Sequence, residues 1–313
     1  MASGSNGEDY ENTPNLKSTF SAGLIVFLSA LNIFLSITAS LGNALTLLAL
    51  RNVPSVHPPT KLLLRCLAVT DLCVGLISQP LFAILLLNSV TEISVNVFSY
   101  ALQINPASSF ILSGVSIFTS TAVSVDRLLA LVLGLRYREV ATVRRMFATI
   151  CCFWLICVSG GLMYSFWSKL VAYCAVTVFG ILSLFISIFS YKKIFLTLRQ
   201  RHVQVNVQNE HGLAIVRRGI PLNLERYKKT VSSIVWVQLA MVVCYVPFLI
   251  SVVLRAMIGW RGTMTADVVW ICATTLLYSN SSVNPILFCW KIKDVRRAMK
   301  STIRRLFCLQ YCS

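Results

Sequence analysis

Asp71 sits between the uncharged runs 66–70 and 72–91 and is the one Asp, Glu, Lys or Arg set well inside a long apolar stretch. A carboxylate removed from water costs several kcal/mol unless it is protonated, paired or bound to a cation. Asp71 is therefore either a neutral, hydrogen-bonded packing residue or a functional one. Its company favours the second reading, because Asn43, Ser116, Asn280, Ser281 and Asn284 bring neutral oxygens from other apolar stretches to similar depth. One carboxylate among hard oxygens suits a small cation better than a transition metal. A sodium ion acting allosterically at Asp71, Ser116, Asn280, Ser281 and Asn284 is the expectation, with no cofactor otherwise.

A second pair, Asp126 and Arg127, lies where another apolar stretch ends. Adjacent opposite charges at a membrane boundary are individually ordinary, since arginines snorkel there. The three histidines, His57, His202 and His211, fall in connecting segments, and no nucleophile or metal-ligand set converges with them. An intramembrane hydrolase is disfavoured on that ground, and no enzymatic activity is expected. A transporter or channel is the alternative class, weakened by the single intramembrane carboxylate and the lack of a polar pathway.

The elements that must position these residues are set by charge. Uncharged runs cover 18–50, 72–91, 93–125, 146–168, 170–191, 230–254 and 268–290. At about 1.5 Å per residue, roughly 20 residues cross about 30 Å of hydrocarbon, so each run is long enough to span. The composition, 56% hydrophobic with a mean hydropathy of +0.74, exceeds what a soluble chain of 313 residues tolerates at its surface. The expected fold is an all-α membrane protein, a seven-transmembrane helix bundle occupying residues 20–290. Residues 1–19 form an acidic, polar tail, and residues 291–313 follow the last span.

All but four of the 28 Lys and Arg fall in 51–65, 126–145, 192–229 and 291–313, which lie on one side of such a bundle. The positive-inside rule makes that side cytoplasmic and puts the N-terminus outside. The net charge of +17 is thus a topology signal and a contact for anionic membrane lipids, with no nucleic-acid partner expected. The first twenty residues lack a basic region, so no cleavable signal peptide is expected, nor a glycosylation sequon there. Residues from about 200 to 226 read as a mobile polar connection, whereas only about Ser165–Ser168 join spans four and five.

After span seven, Ile292, Val295, Met299, Ile303 and Leu306 recur at helical spacing, with Lys and Arg on the other face. This predicts a short cytoplasmic amphipathic helix 8 lying on the inner leaflet. Cys308 and Cys312 follow it as palmitoylation sites, free thiols being the alternative.

The run DRLLALVLGLRY over 126–137 resembles the DRYLAIVHPLRY segment of class A, rhodopsin-like G-protein-coupled receptors. The same family's signatures are matched in order by Gly42-Asn43, Leu67 to Asp71, Trp154, Tyr191, Cys244-Tyr245-Val246-Pro247 and Asn284-Pro285-Ile286-Leu287-Phe288. The resemblance spans about residues 20–308. It implies a plasma-membrane receptor that passes an extracellular signal to a heterotrimeric G protein, which Asp126, Arg127, Leu135 and Tyr191 would contact or control. It also implies a switch formed by Cys244, Tyr245, Pro247, Asn284, Pro285 and Phe288, through which span six moves outward and frees Arg127. Proline removes a backbone donor and favours a kink, although a static kink satisfies the same residues.

Departures from the family pattern carry information of their own. Leu128 replaces a Tyr, Tyr245 a Trp and Phe288 a Tyr, while Ser183, Met241 and Ser120 are also atypical, so the energetics of activation should differ. Leu102 stands where a bridging Cys is usual, and burial of Cys174 and Cys272 as apolar side chains is favoured over pairing. This, with the short loop, resembles melanocortin receptors and less closely lipid and cannabinoid receptors, although Asn284 replaces their Asp. Ser109 occupies the position where amine receptors carry an Asp, and Leu81 and Pro106 stand where melanocortin receptors carry carboxylates. Biogenic amines and basic peptides are then expected to bind poorly as extracellular ligands. Ser109, Phe248, Leu249, Val252, Thr274 and Tyr278 would form a mostly apolar pocket for a neutral or lipid-like ligand, with Arg255 at the rim for an anionic group.

Overall fold

The computed structural model describes residues 22–51, 53, 56–91, 93–210, 239–255, 264–291, 296–301 and 303–304. Span one is Ala22–Arg51, span two Pro58–Leu87, span three Val95–Leu133, span four Val143–Phe166, span five Lys169–Glu210 and span seven Met264–Lys291; the described part of span six is Leu239–Arg255. The chain is a seven-helix bundle and a multi-pass membrane protein. Large apolar side chains such as Phe27, Leu76, Leu155 and Phe185 face outward, because lipid rather than water surrounds the spans.

In hydrocarbon every backbone polar group must find its partner inside the helix, and side-chain hydroxyls and amides do the same. Ser29, Asn32, Asn43, Thr46, Thr121 and Ser190 each donate to the carbonyl four residues earlier. The helix ends have local causes. Pro58 and Pro59 open span two where their missing donors are not needed. Gly134, with φ of +52°, stops span three in a conformation that a side chain would strain. Thr142 accepts from the Arg145 amide to start span four, and Ser168 accepts from the Val171 amide to start span five.

Span five continues as helix to Glu210, overturning the expectation of an irregular connection from about residue 200. Neither Gly nor Pro occurs between Gly180 and Gly212, so nothing breaks the ladder there. The connection between spans four and five is Trp167 and Ser168 alone. Span two carries a π turn at Val74–Ser78, immediately before Pro80, which apolar periodicity did not disclose.

Small residues set the close approaches. A Cβ on Gly42 would meet Pro285 Cβ at 2.9 Å, so spans one and seven touch because Gly42 has no side chain. Ser36 donates to the Gly75 carbonyl within the π turn at 2.6 Å. Beyond span seven, residues 296–301 are helical, and Ala298 and Met299 are buried in a cluster with Leu50, Val53 and Leu63. Met299 therefore packs on the ends of spans one and two rather than on lipid, which corrects that part of the amphipathic reading.

Candidate functional site

Asp71 is fully buried and its two carboxylate oxygens are shared among three neutral donors. Ser116 Oγ and Ser281 Oγ reach Oδ1 at 3.2 and 2.9 Å, and Asn284 Nδ2 reaches Oδ2 at 2.7 Å. Spans two, three and seven thus meet on one side chain. Asn43 joins span one to the group by donating to the Ser281 carbonyl at 3.0 Å. Asn280 is buried beside Ser281 but makes no hydrogen bond to Asp71. The Oδ1 atoms of Asn43, Asn280 and Asn284 are buried without hydrogen-bond partners. Among the described residues no Lys, Arg or His lies within ion-pair distance of Asp71. A carboxylate, two hydroxyls and orphaned amide oxygens are a donor set that fits a small hard cation.

At the basic end of the bundle, Asp126 is enclosed by three donors. It accepts from Arg127 Nη2 at 2.6 Å, Thr60 Oγ1 at 2.8 Å and Tyr137 Oη at 2.6 Å, and Arg127 also bonds Thr60. Tyr137 returns to Asp126 because span three stops at Gly134 and a single 3₁₀ turn, Gly134–Arg136, reverses the chain. Thr60 comes from the first turn of span two. Neither Thr60 nor Tyr137 was assigned this role from sequence; the only signal was a Tyr three residues beyond a helix-ending Gly. Tyr191 is half-buried on span five and hydrogen-bonds Ser124 on span three. Leu135 is 96% exposed on that 3₁₀ turn.

Nearer the opposite end is a cavity of about 680 Å³. All seven expected pocket residues line it: Ser109, Phe248, Leu249, Val252, Arg255, Thr274 and Tyr278. Its polar wall is a short network in which Tyr278 Oη and Ser109 Oγ lie 2.5 Å apart, Ser109 donates to the Asn105 carbonyl at 2.6 Å and Asn105 Nδ2 donates to the Ser78 carbonyl at 2.8 Å. Tyr245 donates to the Ser113 carbonyl at 2.9 Å and Cys244 Sγ lies 3.5 Å from Ser279 Oγ, so span six is tied to spans three and seven. Pro247 and Pro285 lie within spans six and seven.

Arg255 departs from expectation. Its guanidinium donates to Asp267 Oδ1 at 2.8 Å, reaches the Ala266 carbonyl and sits 4.5 Å from the centre of the Trp270 ring. An anionic ligand meets a cation whose charge is already balanced. Asp267, in the first turn of span seven, was missed because the sequence does not show that this turn faces the end of span six. Cys174 and Cys272 are exposed free thiols. Cys308 and Cys312 lie outside the described residues, as does the Phe288 side chain.

The family model of the 7 transmembrane receptor (rhodopsin family) matches residues 42–176 and 161–288. Melanocortin receptor 5 of Rattus norvegicus is 23% identical over 309 residues, covering 95% of this chain and 89% of its own length. Adenosine receptor A3 of Ovis aries is 24% identical over 288 residues, covering 84% and 85%. The high-affinity lysophosphatidic acid receptor of Xenopus laevis is 23% identical over 338 residues, covering 94% and 86%.

Proposed function

Because the chain belongs to the rhodopsin family of seven-transmembrane receptors, it is a G-protein-coupled receptor, and we propose that its stimulus is a neutral or lipid-like molecule held in the cavity. One observation carries this reading: Arg255 is the only charged side chain lining the cavity among the described residues, and Asp267 already balances it. A ligand ammonium there finds no carboxylate to spare and would lose its hydration uncompensated. Phe248, Leu249, Val252 and Leu277 gain from covering apolar surface, while Tyr278, Ser109 and Thr274 offer a few hydroxyls for orientation. The names of the relatives divide among melanocortin, adenosine and lysophosphatidic acid. The third agrees with a lipid-like ligand.

In this reading the chain lies in the plasma membrane with its N-terminus and the cavity mouth outside and its basic end in the cytoplasm. Ligand contact with Phe248 and Tyr278 biases spans six and seven, whose ties at Tyr245, Cys244 and Asn284 link the cavity to the layer around Asp71. A sodium ion would be held by Asp71, Ser116, Ser281, Asn280 and Asn284 and would supply a positive charge favouring the closed arrangement of spans two, three and seven. Coupling needs Arg127 released from Asp126 and Thr60, so that it meets the G protein together with Leu135 and Tyr191. Competition binding with a monoamine, a basic peptide and neutral and acidic lipids tests the ligand class. Neutral or acidic lipids should compete; submicromolar activation by a monoamine, insensitive to changes at Arg255, would overturn it.

A further inference from the structure

Gln79 of span two is 0% exposed, and neither its amide nitrogen nor its amide oxygen has a hydrogen-bond partner among the described residues. Asn32 of span one is equally buried, and its Oδ1 also lacks a partner among them. Turning the Asn32 amide over would not relieve this. Its Nδ2 donates to the Leu28 carbonyl at 2.8 Å, an atom that only accepts, and reaches Thr275 Oγ1 of span seven at 3.1 Å.

The packing brings these groups to one level. Spans one and two run in opposite directions and touch where Ser36 donates to the Gly75 carbonyl. One turn away from that contact, Asn32 lies four residues before Ser36 and Gln79 four residues after Gly75. A further turn on, Leu28 and Phe82 belong to one apolar cluster. Asn32 and Gln79 are therefore bracketed on both sides by contacts between the same two spans. Thr275 falls between Ile271 and Tyr278, which belong to that cluster too, so span seven closes the third side.

We propose that Gln79, Asn32 and Thr275 form a buried site, separate from the ligand cavity, which binds one water molecule and through it ties span two to spans one and seven. The inventory of groups matches a water. Gln79 Oε1 and Asn32 Oδ1 accept, Gln79 Nε2 donates, and a water supplies two donors and an acceptor in return. Leaving buried amide atoms unpartnered costs more than immobilising a water, and buried waters typically make about three such bonds. All three side chains are uncharged, so the occupant is neutral. None of the three lines the cavity. Phe82 and Tyr278, three residues on from Gln79 and Thr275, do line it, and they meet edge to face at 5.5 Å. That aromatic contact closes the site on the cavity side, which favours a water over a hydroxyl belonging to the ligand.

The test uses the full-length receptor purified in detergent. A structure at a resolution that shows ordered water should contain one isolated oxygen within hydrogen-bond distance of both Gln79 and Asn32 Oδ1. Gln79→Met keeps the length of the side chain and removes the amide, which strands Asn32 Oδ1 without its bridge. Its melting midpoint should fall by about 2–4 °C. Asn32→Leu should also melt lower, and the double substitution should fall by less than the two single shifts together, as groups joined through one water require. A Gln79→Met receptor that melts higher than the unsubstituted one, with shifts that add, would overturn the bridge, because removing an unsatisfied buried amide stabilises. Density without that oxygen, with Gln79 bonded to protein groups instead, would overturn it as well. So would an oxygen that belongs to a molecule extending from the cavity. If a variant fails to fold, the density of the unsubstituted receptor decides.

Discussion

Tyr137 donates its hydroxyl to Asp126 at 2.6 Å across 11 residues of chain, on the carboxylate that also holds Arg127. The residue expected to engage the G protein is thus restrained by a side chain from the turn that follows span three. Removing that donor leaves Asp126 with Thr60 and Arg127 only. A hydrogen bond to a charged group contributes about 1.5 kcal/mol or more, and about 1 kcal/mol is already a fivefold change in a two-state ratio. Tyr137→Phe should shift basal guanine-nucleotide exchange by about fivefold or more. The direction is upward if Tyr137 stabilises the Asp126–Arg127 pair in the resting form, and unchanged basal exchange at equal surface expression would show that it does not.

Arg127→Ala should reach the cell surface and bind ligand, because the guanidinium bonds Asp126 and Thr60 at the margin of the bundle. Its stimulated nucleotide exchange should fall about tenfold or more, the scale of a lost charge-assisted hydrogen bond to a partner. Normal exchange in a membrane assay with purified G protein would remove Arg127 from the coupling mechanism.

Asp71→Asn retains an oxygen for Ser116 and Ser281 but removes the negative charge. Ligand affinity should lose its dependence on sodium while remaining within a few fold of the original in sodium-free buffer. Titrating sodium against choline at constant ionic strength makes the comparison. A retained sodium response would make the cluster a packing element.

Asp267→Ala uncovers Arg255, which keeps its ring contact with Trp270. Acidic lipids should then compete better than neutral ones, by about tenfold for one freed charge in a partly buried site. Equal changes for acidic and neutral lipids would mean that the ligand does not meet the guanidinium.

Gly42→Leu introduces a side chain where even a Cβ approaches Pro285 to 2.9 Å. Separation of spans one and seven should lower stability by about 1–3 kcal/mol, read as a lower melting midpoint of the detergent-solubilised receptor. Gly23→Leu, where nothing stands within 4 Å of an added Cβ, should melt as the unsubstituted protein does.

The sequence by itself determined the spans, the segregation of basic residues and the depth of Asp71 with its oxygen neighbours. Those follow from quantities that add residue by residue, namely apolar transfer, charge and the rise of a helix. The seven expected pocket residues came from the family resemblance rather than from spacing, and the structure brings all seven to the wall of one cavity. Tertiary structure alone decided which way each helix turns about its axis, since length and apolarity leave rotation and register open. That rotation pairs Asp267 with Arg255 and brings Thr60 to Asp126. The π turn at Val74–Ser78 shifts every later residue of span two around the axis: Pro80 lacks the donor that the Leu76 carbonyl would take in an α-helix, and Ser36 on span one donates to the Gly75 carbonyl within the turn.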